Sequence, residues 1–149
     1  MTALPHSTAM PTMKIYAAGA QPADTDLRTL QIANDEEIAD LVAQGALEGV
    51  QRIELNFPKF TDGRAYSQAV LLRRRYRFAG DLRATGDVLI DQLVHMHRSG
   101  FTSAVLAEGV DPAAAERQFA RFAAFYQGDV LEPRPLFARE AAALLLEAA

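Results

Sequence analysis

Between Thr29 and Leu106 the sequence alternates short strand patterns with helical ones, joined by loops of a few residues. This order constrains the fold more than any other feature, because strand–helix–strand units with short loops close as right-handed parallel βα units. The clearest strand is 50–57. There Ile53, Leu55 and Phe57 face one way, Arg52, Glu54 and Asn56 the other, and Pro58 stops the run. A weaker strand is expected over 29–33, a short one over 81–85 and another over 101–106.

Helices are expected between them. Asn34 and Glu37 have capping-box spacing ahead of a helix over 35–47, which Gly49 ends. Thr61 or Asp62 would cap a helix over 63–76, and Thr85-Gly86-Asp87 would open one that runs to Arg98. Asp111-Pro112 starts a further helix, with Phe119, Phe122, Phe125 and Tyr126 as a core stripe. Glu132–Pro135 reads as a rigid linker, and 136–149 as a final alanine- and leucine-rich helix. The expected fold is α/β, with three to four short parallel strands in consecutive βα units and covering helices. It would be half-barrel-like or a doubly wound fragment, plus a C-terminal helix. Residues 1–27 are expected to be loose, 28–131 to form the domain and 132–149 to carry the linker and last helix. Open sheet edges would need covering helices or a homodimer.

Composition removes several chemistries. The 149 residues contain no cysteine, so disulfides, thiolate zinc sites, cysteine-held clusters and cysteine nucleophiles are excluded. No stretch has the ~20 consecutive apolar residues of a membrane span, and no signal-peptide pattern opens the chain, so the expected location is cytoplasmic. Residues 52–98 hold nine basic and five acidic side chains inside a chain of net charge −4. A cationic middle in an anionic protein suits a small anion or an acidic partner surface, not nucleic acid. Within that middle, Arg73–Arg77 falls at a helix C-terminus, where the dipole favours cations, and reads as a solvated end with a partner-docking patch as the alternative. Neither glycine-rich nucleotide motif occurs, so no cofactor is expected. Asp87, Asp91 and His95 share a helix stripe but would span about 12 Å, too far for one metal ion.

Ligands of parallel sheets bind beyond the C-terminal strand ends. Two loops fall there. The first brings Lys59, Thr61, Asp62, Arg64 and Tyr66, and the second Arg83, Thr85, Asp87, Asp91 and Gln92. Lys59, Thr61, Arg64, Arg83 and Thr85 would hold a small oxyanion, with the free N–H groups of two helix starts as further donors.

The strings Asn56-Phe-Pro-Lys-Phe-Thr-Asp-Gly-Arg64, Leu82-Arg-Ala-Thr-Gly-Asp-Val-Leu89 and Arg98-Ser-Gly-Phe101 resemble the bacterial family called domain of unknown function 934. Members are commonly described as oxidoreductases of sulfite reduction, with genes often beside that of the sulfite reductase haemoprotein. The resemblance implies an accessory of assimilatory sulfite reduction that binds an oxyanion, docks on the haemoprotein, or does both. Since the chain has no thiol, its expected role is positioning charge, not redox chemistry. Two other expectations stand beside it. One is a lyase or isomerase with Lys59 or Asp62 as base and Arg64 and Arg83 holding an anion. The other is an interaction module using Arg73–Arg77 and the last helix.

Overall fold

The computed structural model describes residues 13–23 and 26–120. Its five strands are β1 (Lys14–Tyr16), β2 (Thr29–Ile32), β3 (Arg52–Phe57), β4 (Asp81–Gly86) and β5 (Ser103–Val105). The helices are α1 (Ile38–Ala43), α2 (Arg64–Arg74), α3 (Leu93–Ser99) and α4 (Ala115–Ala120), with 3-10 turns at Ile90–Gln92 and Pro112–Ala114. All strand pairs are parallel, in the order β1-β5-β4-β3-β2. From β2 to β5 each crossover advances one strand in the same direction. One-way winding puts right-handed crossovers on one face, whereas a doubly wound sheet reverses and uses both. The run from β2 to β5 is therefore wound as in the half-barrel-like alternative, while the β1–β2 connection crosses the sheet in the opposite direction, and there are five strands instead of three or four.

The extra strand comes from the segment expected to be loose. β1 pairs with β5, with Lys14 N–H donating to the Thr102 carbonyl at 3.0 Å and Leu106 N–H to the Tyr16 carbonyl at 2.8 Å. Three residues cannot form a strand alone; the β5 edge makes them one.

Strand alternation divides the sheet. Ile53, Leu55, Phe57, Leu82, Ala84 and Ala104 are buried against Ile38 of α1, Ala65, Ala69 and Leu72 of α2, Leu93 and Met96 of α3 and Ala115 of α4. Phe57 anchors this core, its ring 5.0 Å from Tyr66 and 5.8 Å from Phe101. The opposite face carries Gln31, Arg52, Glu54, Asn56, Asp81, Arg83, Thr85, Ser103, Lys14 and Tyr16, by the same register.

Helix boundaries differ from expectation at two places. The helix expected over 35–47 is only α1, because Gly45 and Gly49 adopt φ of +74° and +69°. Its capping box does not form. Asn34 donates to Asp62 Oδ2 at 2.7 Å, Glu36 Oε2 accepts the Ala33 N–H at 2.7 Å, and Glu37 stands at the N-cap without a side-chain bond. The helix expected from Thr85 begins at Leu93, after β4 continues to Gly86 and the 3-10 turn intervenes. Residues 87 and 88 bond outward instead: Asp87 N–H donates to the Phe57 carbonyl at 2.8 Å, and Val88 carbonyl accepts from Ala107.

The Asp111-Pro112 start forms as expected, with Asp111 Oδ1 accepting the Ala113 N–H at 2.9 Å. Arg73 is not a solvated helix end. It donates to the carbonyls of Gly100, Phe78 and Gly80 at 2.8–2.9 Å, tying the end of α2 to the starts of β4 and β5. Phe122, Phe125, Tyr126, the linker at 132–135 and the helix expected over 136–149 lie outside the described residues.

Candidate functional site

Two regions gather polar chemistry. The first is the rim at the C-terminal ends of β3 and β4, where Pro58 ends β3 and residues 58–63 loop into α2. Phe60 sits in this loop and is 50% exposed, the large hydrophobic side chain most open to solvent among the described residues. Its backbone is held at both polar atoms. Phe60 N–H donates to Asp87 Oδ2 at 2.8 Å, and Gln92 Nε2 donates to the Phe60 carbonyl at 2.6 Å. The next βα loop thus grips the segment that presents the ring to water.

Beside it, Arg64 is occupied by Asp62. The contacts are Nη2 to Oδ2 at 2.8 Å and Nε to Oδ1 at 3.1 Å, and Asp62 also takes the Asn34 amide. The Arg64 side-chain bond, then its backbone N–H, hold the Asp62 carboxyl down to about 2. Lys59 and Thr61 are exposed on the loop. Tyr66 turns inward between Phe57 and His95, at 5.0 and 4.2 Å, and burial followed by the Asp91 charge pushes its phenol up to about 12.

Arg83 and Thr85 do not join this rim as expected. Both lie inside β4, on the face away from Leu82 and Ala84, so strand alternation turns them from the helices. Lys59, Arg64 and Arg83 are therefore not brought to one oxyanion. Asp87 ends its role on Phe60, Asp91 is exposed in the 3-10 turn, and His95 belongs to α3. Among the described residues no three metal-ligating side chains converge, and no helix is long and apolar enough to cross a membrane.

The second region is the polar sheet face. A cleft of about 630 Å³ there is lined by Lys14, Tyr16, Arg52, Asp81, Arg83 and Thr102, and bounded by Pro22 and Leu27 from the β1–β2 connection. Asp81 organises it. Arg52 Nε donates to Asp81 Oδ2 at 2.8 Å, Ser103 Oγ donates to both carboxylate oxygens at 2.9 and 3.0 Å, and the Thr102 hydroxyl donates to Oδ1. Towards the C-terminal strand ends the same face turns acidic, with Asp35, Glu36 and Glu54 around a second cleft and Gln31 Nε2 on Glu54 at 3.2 Å.

Arg52, Asp81, Thr102, Ser103, Lys14 and Tyr16 were missed as site residues. The signal for two of them was present, since period-2 alternation puts Arg52 and Asp81 on one face with Arg83. That they are neighbours follows only from the β3–β4 register, Arg52 opposite Asp81.

No curated protein and no solved structure gives a significant match to the chain. A family model does, over residues 29–137, from the first residue of β2 to beyond α4, leaving β1 outside. On that match, which takes in most of the sequence, the chain belongs to the family described as bacterial protein of unknown function (DUF934).

Proposed function

We infer that the protein is an accessory of assimilatory sulfite reduction and docks on the sulfite reductase haemoprotein through the Phe60 loop. The link to sulfite reduction comes from the family resemblance. The observation that carries docking is the exposed Phe60 ring on a backbone clamped by Asp87 and Gln92. A large aromatic held out in water costs little ordering entropy on binding and is a common interface anchor. Lys59 and Arg64 flank it, which suits a partner pocket with an acidic edge. With Arg64 tied to Asp62 and Arg83 on the other face, the rim fits docking better than oxyanion capture. The chain has no cysteine, so the proposed role involves no thiol redox step of its own.

Binding of the full chain to the purified haemoprotein, read by biolayer interferometry, tests this reading. Phe60→Asp is expected to weaken binding by about thirtyfold, the loss typical of an anchor residue. Its thermal melt should stay close to wild type, because the ring is half exposed and is not one of the buried core residues. No binding by wild type, together with unchanged sulfite reduction in cells lacking the protein, would overturn the proposal.

A further inference from the structure

The polar sheet face holds an arginine whose placement the fold itself does not explain. Arg83 is 3% exposed, in the middle of β4. Its Nε donates to Ser103 Oγ at 3.1 Å, and its guanidinium lies over the Tyr16 ring, 5.2 Å from the centroid. Those two contacts fix the plane of the fork. They leave Nη1 and Nη2 without a hydrogen bond among the described residues, and Arg83 is part of the cleft lining. The nearest carboxylate is Asp81, 3.9 Å from Nη2 and already engaged with Arg52, Thr102 and Ser103. Lys14, on the neighbouring edge strand, lines the same cleft and has no acidic partner among the described residues.

A guanidinium fixed in plane, lining a cleft and with no hydrogen bond on its terminal nitrogens among the described residues, offers a ready donor edge. Its two parallel N–H groups match an oxyanion bidentately, and a point charge such as Lys14 adds attraction without fixing geometry. A space of about 630 Å³ lies in the range of small-molecule clefts. The apolar boundary of Pro22, Leu27 and Ala79 leaves room for an uncharged remainder. We propose that this cleft binds a tetrahedral oxyanion, free or as the head group of a small ester, between Arg83 and Lys14. The site lies on the face of the sheet opposite the helices and is separate from the Phe60 loop, so either proposal can fail without the other.

The test is titration of the full chain with inorganic sulfate and inorganic phosphate, followed by NMR and calorimetry, with chloride at matched ionic strength as control. Shifts should centre on residues 14, 16, 83 and 103, with a dissociation constant of about 1 mM or tighter. Arg83→Lys, which keeps the charge but loses the fork, should weaken binding about tenfold. Lys14→Ala should weaken it about threefold, and Arg64→Ala not at all. Lys14 is exposed on an edge strand, so its variant decides the matter if Arg83→Lys does not fold. A small ester that binds more tightly than either free ion identifies the ligand as an ester head group, and equal or weaker binding identifies the free ion. Shifts produced equally by chloride, no binding of either ion, or binding unaffected by Lys14→Ala would overturn the proposal.

Discussion

Asp81→Ala is expected to lower the unfolding free energy by about 3 kcal/mol, the low end for breaking a buried ion pair, since the carboxylate is 25% exposed. The loss has three parts. Arg52 loses the Asp81 carboxylate at 2.8 Å, Arg83 loses its nearest counter-charge, and the Thr102 and Ser103 hydroxyls lose that acceptor. For a chain of this size the midpoint of melting should fall by about 6–12 °C. Arg64→Ala, which breaks the pair with Asp62 from its exposed side, should leave the midpoint nearly unmoved.

The acid limb of the stability curve gives an independent check. Burial pushes the Asp81 carboxyl up, but hydrogen bonds from Thr102, Arg52 and Ser103 and the Arg52 charge outweigh it and hold the group below its ordinary value. A carboxyl lowered in the folded state adds stability that is complete above its unfolded value, near pH 4, and is lost as pH falls through the folded value. The difference between wild type and Asp81→Ala in urea melts should therefore narrow below about pH 4. A difference as large at pH 3 as at pH 7 would mean that packing, not charge, is responsible.

Gly86→Ala is expected to cost about 3–4 kcal/mol, near the upper end for a single substitution. Gly86 has φ +92°, which an L side chain rarely adopts. A Cβ there would stand 2.3 Å from the Phe57 carbonyl oxygen and 2.5 Å from Asn56 Oδ1. The first of these is backbone in a ladder, where Asp87 N–H also bonds to Phe57, so relief requires separating the ends of β3 and β4. That separation would move Asp87, which holds the Phe60 N–H. Gly86→Ala should therefore weaken docking as well as stability, whereas Phe60→Asp weakens docking alone. Paired melts and binding curves of the two variants read this distinction, and a Gly86→Ala protein with wild-type melting would contradict the strand geometry.

The parts of this fold legible in the sequence are those set by local periodicity. Ile53, Leu55 and Phe57 alternate, so β3 and its buried face follow directly. Asp111-Pro112 caps its own turn and needs no distant partner. The parts that were not legible depend on contacts distant in sequence. β1 is a strand only because β5 lies beside it. Asn34 abandons its expected cap for Asp62, 28 residues away. Arg73 leaves the expected solvated cluster because three carbonyls from later residues meet it. Arg83 lies within the strand expected over 81–85, and the alternation of Leu82 and Ala84 around it already turns it away from the core, against its place in the second rim loop. The Phe60 loop was singled out, but its clamp by Asp87 and Gln92 could not be read from spacing, since it requires β3 and β4 to end side by side.

Hydrogen–deuterium exchange of the full chain, with and without the sulfite reductase haemoprotein, tests the docking proposal most directly. The account predicts slowed exchange concentrated in residues 58–64 and 87–92, lost in Phe60→Asp. No slowing on addition of the haemoprotein, or slowing confined to residues 73–77, would contradict it.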